Sequence, residues 1–171
     1  MRSQKTYLLA LTAFFAALII ICSYIVLPLP FSPVPVTAHT LAIALAGLIL
    51  PRRQSFAAVG IYLLLGIALG IVSFGPAVGY YVGFLLTSLL IPTLRGSKTH
   101  LIRYFLVAVV AALVTELCGT VGMMAIQSLS FKAALLSGFV VFLPGDLAKA
   151  VLAAVIAVPV KKATGRILTT G

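Results

Sequence analysis

Charged residues occur in a few short clusters, and the apolar runs between them limit what this chain can fold into. No Asp, Glu, Lys or Arg lies between Lys5 and Arg52, and none between Arg53 and Arg95. Of 171 residues, 63% are hydrophobic and 8% are charged, whereas a soluble domain carries roughly 25% charged residues. So few polar groups could not cover a soluble fold. Lipid accepts apolar side chains as neighbours if the backbone bonds internally, as it does in helices. A helix needs roughly 20 apolar residues to cross a hydrocarbon core of about 30 Å. The length therefore accommodates six spans and no extramembrane domain. We expect an all-α integral membrane protein, a bundle of six transmembrane helices forming one substrate-binding domain over residues 1–171.

The spans are expected near 7–27, 37–50, 56–73, 77–94, 101–127 and 145–161, the second being short for a full crossing. The first run, Tyr7 to Leu27, exceeds the roughly 7–15 residues of a signal-peptide core and reads as a retained span. Pro28, Pro30, Pro33 and Pro35 then make a stiff extended loop, because proline fixes φ and donates no backbone hydrogen bond. Pro51-Arg52-Arg53, Gly75-Pro76 and Arg95-Gly96-Ser97-Lys98 mark further breaks.

The net charge of +10 is distributed as loop charge, without the aromatic-interleaved basic patch of a nucleic-acid surface. With the N-terminus inside, Arg2, Lys5, Arg52, Arg53, Arg95, Lys98, Arg103, Lys161, Lys162 and Arg166 all fall on the cytoplasmic side. Only Lys132 falls outside, and Lys149 lies within a span. The asymmetry favours six spans with both termini cytoplasmic. Small residues recur four apart at Ala13/Ala17, Ala42/Ala46, Gly66/Gly70, Gly75/Gly79, Gly79/Gly83 and Ala150/Ala154, a spacing that lets helices approach closely in lipid. Cys22 and Cys118 sit in separate apolar runs and read as small packed hydrophobes.

The two acidic residues, Glu116 and Asp146, lie in apolar surroundings, as does Lys149. A charge at mid-bilayer costs about 2.5–3.5 kcal/mol even on insertion scales, so such residues pair with one another or line a pathway. Asp146 and Lys149 are three apart and share a helix face. Pro144-Gly145 resembles a helix start, which puts Asp146 in the first turn, where the helix dipole favours negative charge. Counting back from Lys161 at 1.5 Å per residue raises Asp146 by about 22 Å, a few ångströms below the outer surface. That depth suits a pocket opening outward, and equally a self-contained ion pair that fixes helix register. For Glu116 three readings stand: a network with Lys149, a face toward a partner subunit, or a neutral acid, since desolvation disfavours the ionised carboxylate. His39 follows the proline-rich loop on the outer side, where a satisfied polar residue and a ligand contact are both open. Tyr80 and Tyr81 sit where tyrosines often anchor the membrane interface. His100 falls in a basic loop and reads as solvated. No phosphate-binding GxxxxGK[ST] loop, metal-ligating cluster or hydrolase motif appears, so catalysis has no visible apparatus.

Three segments together resemble the BioY family, the biotin-specific S-components of energy-coupling-factor transporters. They are Leu27-Pro28-Leu29-Pro30-Phe31-Ser32-Pro33-Val34-Pro35-Val36-Thr37, then Tyr62-Leu63-Leu64-Leu65-Gly66 with Phe74-Gly75-Pro76-Ala77-Val78-Gly79-Tyr80, and Phe142-Leu143-Pro144-Gly145-Asp146-Leu147-Ala148-Lys149. Their order and spacing match the family across nearly the whole chain. The resemblance implies capture of biotin from outside, with no cofactor and no catalysis. It implies one membrane-embedded scaffold subunit and two ATP-binding-cassette ATPases as partners, in the cell membrane of a prokaryote. It assigns ligand contact to Asp146 and Lys149, and scaffold contact to Ala13 and Ala17. His39, Thr40 and Tyr80 complete the expected substrate-binding set. The family's frequent glycine-rich stretch is shortened before Gly75-Pro76, and His39 stands where glutamine is usual, so part of the pocket is expected to be rebuilt. Two other classes remain open from the residues alone: a facilitator or proton-coupled carrier titrating Glu116 and Asp146, and a structural membrane protein without a small ligand.

Overall fold

The computed structural model describes the backbone of residues 2–30 and 32–170 and the side chains of 4–30 and 32–164. Phe31 and the side chains of Arg2 and Arg166, which entered the expectations above, lie outside the described residues. The chain is helical almost throughout. α1 covers Arg2–Ser23, α2 His39–Ile49, α3 Arg52–Ala68, α4 Val78–Leu94, α5 Leu101–Gln127 and α7 Leu143–Thr170. A five-residue α6, Phe131–Leu135, continues into a π-helical stretch, Leu136–Val140. The proline-rich segment is pinned at its ends by a two-stranded antiparallel ladder, β1 (Val26–Leu27) with β2 (Val36–Thr37), in which Val26 faces Thr37.

Six long helices thus stand where six spans were expected, with shifted ends. α3 begins at Arg52, because Pro51 is its N-cap and proline is well tolerated there. α7 runs past Lys161 without a break at Pro159. The residues between the fifth and sixth expected spans form α6 and the π-helical stretch rather than a loop. Three helical stretches, Gln4–Ser23, Leu101–Gln127 and Phe131–Thr164, are long and apolar enough to cross a membrane.

The centre of the bundle is its shortest long helix. At 11 residues, α2 spans about 16 Å, roughly half a bilayer core. It packs against α1, α3, α4, α5 and α7. Ala42, Ile43, Leu45, Ala46, Gly47, Leu48 and Ile49 are all buried on it, as expected of a helix apolar on every side. Its last carbonyls are therefore away from water and need donors. Arg95 supplies them: its Nη1 donates to Gly47 O at 2.9 Å and also to Leu48 O. Lys161 Nζ donates to Ile49 O at 2.6 Å. Arg103 caps α4 in the same way, through Nε and Nη2 to Leu94 O at 3.1 and 2.8 Å. Cations at helix C-termini also complement the dipole. Arg95, expected in a solvated loop, is only 7% exposed.

Glycine sets the closest helix contact. A Cβ on Gly79 would lie 2.2 Å from Cys118 O, and one on Gly83 would lie 2.8 Å from Thr115 Cα. α4 and α5 thus meet backbone to backbone, the close approach that small-residue spacing predicts. Ala42, Ala46, Ala150 and Ala154 are likewise buried. Gly66 and Gly70 act differently. Gly66 receives the side chain of Val72 as the chain folds back, and Gly70 adopts φ 71°, a left-handed conformation that glycine takes freely. The outer perimeter is apolar: Leu9, Leu64, Leu106, Val121 and Val155 are all more than half exposed, a surface suited to lipid.

Arg95→Met is expected to leave the Gly47 and Leu48 carbonyls without that donor and to destabilise the fold by about 1–3 kcal/mol. The check is a lowered thermal unfolding temperature in detergent. Lys132→Ala, at an exposed position, should leave that temperature unchanged.

Candidate functional site

One end of the bundle encloses a cavity of about 290 Å³. The sequence builds its walls from breaks in helices. The proline-rich segment cannot continue α1, because its prolines remove backbone donors. It returns through the β1–β2 ladder, and Ala38 N donates to Ile25 O at 3.1 Å, which delivers the chain to the start of α2. Pro33, Val34 and Pro35 line one side of the cavity. Irregular backbone is acceptable at membrane depth where it borders a cavity. The Gly75-Pro76-Ala77 turn delivers α4 to the same end, and the turn after the π-helical stretch delivers α7.

Lys149 is the cation of the site. Its Nζ donates to Asp146 Oδ1 at 3.0 Å and to Thr40 Oγ1 at 2.8 Å. An ammonium has three donors, so a third remains, and Lys149 lines the cavity with its side chain 17% exposed. Asp146 does occupy the first turn of α7. It stands behind Lys149, 6% exposed, lining a smaller adjoining void of about 40 Å³ rather than the main cavity. Glu116 of α5 is 3% exposed and borders both spaces.

His39 forms part of the cavity wall. Its ring stacks on Tyr62 with centroids 5.8 Å apart and meets Phe84 edge-on at 4.9 Å. Nδ1 lies 2.5 Å from Thr37 Oγ1, while Nε2 is buried without a partner among the described residues. A buried ring nitrogen left in that state is a natural hydrogen-bonding point for a ligand. Tyr80 also lines the cavity. Its hydroxyl donates to Gly138 O of the π-helical stretch at 2.7 Å. It is 5% exposed, so it is a buried tether between α4 and the π-helical stretch rather than an interface anchor. π-helical turns free carbonyls in this way and recur near functional sites.

The structure thus brings His39, Thr40, Tyr80 and Lys149 to one cavity and sets Asp146 directly behind it. It also brings in Tyr62, Tyr81, Phe84 and Phe142, which sequence reasoning did not assign. Tyr62 belongs to a quoted motif, but an aromatic residue on an apolar helix carries no sign of which way it faces. Ala13 and Ala17 lie elsewhere, exposed on α1, while Phe15, Ala16 and Ile19 of the same helix are buried. Among the described residues no group of three His, Cys, Asp or Glu is placed to hold a metal ion.

This architecture has known counterparts. The sequence profile of the BioY family matches residues 1–166. A curated relative from Lactococcus lactis subsp. cremoris, named Biotin transporter BioY2, is 34% identical over 164 residues, covering 89% of this chain and 88% of its own. A protein from Thermotoga maritima named Biotin transporter BioY is 33% identical, covering 86% of this chain and 92% of its own. The crystal structure of an S-component for biotin from an ECF-type ABC transporter superposes with a TM-score of 0.85 at 27% identity, covering 95% of this chain and 94% of that one.

Tyr80→Phe removes the bond to Gly138 O and leaves that carbonyl unpaired. We expect a loss of about 1–2 kcal/mol, read as a lower unfolding temperature, with the helical circular-dichroism spectrum retained.

Proposed function

The chain belongs to the BioY family, and from that premise we infer that its cavity captures biotin for uptake across the membrane. The observation that carries this reading is the Lys149 ammonium, held by two partners and keeping one donor, in a cavity lined mainly by apolar and aromatic residues with a few polar groups. Small-molecule sites are typically apolar concavities from about 300 Å³ upward with a few placed polar groups. Biotin offers an apolar thiophane ring, a ureido group with two N–H donors and an oxygen, and a carboxylate. The aromatic walls suit the ring. Lys149 can donate to either oxygen-bearing end, and His39 Nε2 can pair with a ligand heteroatom. Asp146 holds Lys149 in position.

The protein acts as an S-component, not as an enzyme. The charge asymmetry supports a multi-pass protein of a prokaryotic cell membrane with six spans and both termini cytoplasmic. The proline-rich segment and α2 together complete one crossing. The cavity then faces outward, at the end remote from Arg95, Arg103 and Lys161. A membrane-embedded scaffold subunit and two ATP-binding-cassette ATPases supply the energy, and ATP hydrolysis in them reorients the loaded subunit. The small residues Ala13 and Ala17, exposed on α1, form a face on which a scaffold helix can approach closely.

Titration of the purified chain in detergent should give saturable one-to-one binding of biotin at nanomolar levels, with desthiobiotin and an unrelated vitamin as controls. Absence of binding by folded protein would refute the reading. Asp146→Asn is expected to weaken biotin binding at least about tenfold, or about 1.4 kcal/mol, without loss of membrane insertion. Ala13→Leu and Ala17→Leu should abolish ATP-dependent uptake and leave biotin affinity intact. Loss of affinity in those two variants would show that the face packs internally.

A further inference from the structure

The carboxyl-bearing residues Glu116 of α5 and Asp146 of α7 both line the smaller void of about 40 Å³. Each has one buried oxygen, Glu116 Oε2 and Asp146 Oδ2, with no donor among the described residues. A buried acceptor left unpaired costs about 1–3 kcal/mol, and more when charged.

Among the described residues no neighbouring group donates to either position. On α7, Lys149 directs one proton to Asp146 Oδ1 and one to Thr40 Oγ1. On α4, the Tyr80 hydroxyl is committed to Gly138 O. On α2, His39 pairs through Nδ1 with Thr37. On α5 itself, the Thr120 hydroxyl donates to the Glu116 main-chain carbonyl at 2.8 Å, not to its carboxyl. Two ionised carboxylates against one ammonium would also leave a net negative charge in a site screened from water, where like charges repel strongly.

We propose that Glu116 is a neutral carboxylic acid whose proton bonds to Asp146 Oδ2, and that it is the positioning residue of the Asp146–Lys149 pair. Asp146 keeps the negative charge, because its other oxygen faces the Lys149 ammonium at 3.0 Å and because it occupies the first turn of α7. Both Asp146 oxygens are then bonded, one to Glu116 and one to Lys149. The aspartate cannot rotate, and the third Lys149 donor stays aimed at the cavity. The triad is neutral overall, so a ligand meets a site without excess negative charge. The functional half of this inference rests on the cavity being the ligand site; the protonation half does not.

The composition makes the protonation directly observable. The chain has two side-chain carboxyls in all, and both belong to this pair. In a maltoside detergent, which has no carboxyl of its own, the infrared spectrum of the full chain at neutral pH should show the carbonyl stretch of a protonated carboxylic acid. Glu116→Gln should abolish that band, and Asp146→Asn should retain it at a shifted frequency. A wild-type spectrum without the band, or a band lost in Asp146→Asn and kept in Glu116→Gln, overturns the proposal. In biotin titrations Glu116→Leu should weaken binding at least about tenfold. Glu116→Gln, whose amide can still donate to Asp146, should recover most of that loss. Wild-type affinity should fall as pH rises and removes the shared proton, and the Glu116→Gln profile should lack that part of the fall. Equal losses in the two variants, or identical pH profiles, would overturn the positioning role. A protein that shows the band as described but binds no biotin would instead refute the ligand assignment and leave the shared proton standing.

Discussion

The backbone of α2 must be satisfied away from water, and the arrangement of the bundle follows from how that is done. A helix of 11 residues is too short to bring both ends to the membrane surfaces. Its C-terminal carbonyls end inside the protein, so donors have to reach them. Arg95 comes from the end of α4 and Lys161 from α7, which ties both helices to the centre. At the other end the proline-rich segment and the β1–β2 ladder replace the missing helical turns, and they shape the cavity as they do so. The same shortness that creates the need for cation caps therefore leaves room for a ligand.

Polar chemistry at the cavity end is sparse and closely coupled. Lys149 links α7 to α2 through Thr40. Asp146 of α7 and Glu116 of α5 border one void, and Tyr80 links α4 to the π-helical stretch through Gly138. Each of these groups lies in surroundings where an unpaired charge or donor is costly. Satisfying them together leaves few alternative arrangements, which gives the cavity a defined shape before a ligand arrives. Preorganisation of that kind raises affinity by reducing what must be ordered on binding.

Much of this was legible from residue order alone. The charge-free runs pointed to a helical membrane bundle, because long continuous apolar segments satisfy their backbone in lipid as helices, whereas barrel strands are short and alternate apolar with polar residues. Pro144-Gly145 before Asp146 placed the aspartate in a first helical turn, and the three-residue spacing to Lys149 placed both on one face; the ion pair at 3.0 Å follows. Gly79 and Gly83 announced a close helix crossing, because only a missing Cβ admits a backbone so near. Other features were not legible. Arg95 and Lys161 read as loop charges, because a cation that caps a buried helix has the same sequence context as one in water. Tyr80 read as an interface anchor, because its acceptor, Gly138 O, is 58 residues away and exists only where the helix loosens into a π turn.

The sequence by itself determined the class of environment, the number of long helices and the residues whose charge had to be accounted for. These follow from local composition and spacing, which act over one or two helical turns. Only the tertiary structure decided which of those residues share a cavity: that Lys149 faces it, that Asp146 stands behind, that His39 has an unpartnered nitrogen and that Glu116 borders the same void as Asp146. Those outcomes depend on how five helices are rotated around α2. Rotation is set by the sum of many weak packing contacts, and no short stretch of sequence contains that sum.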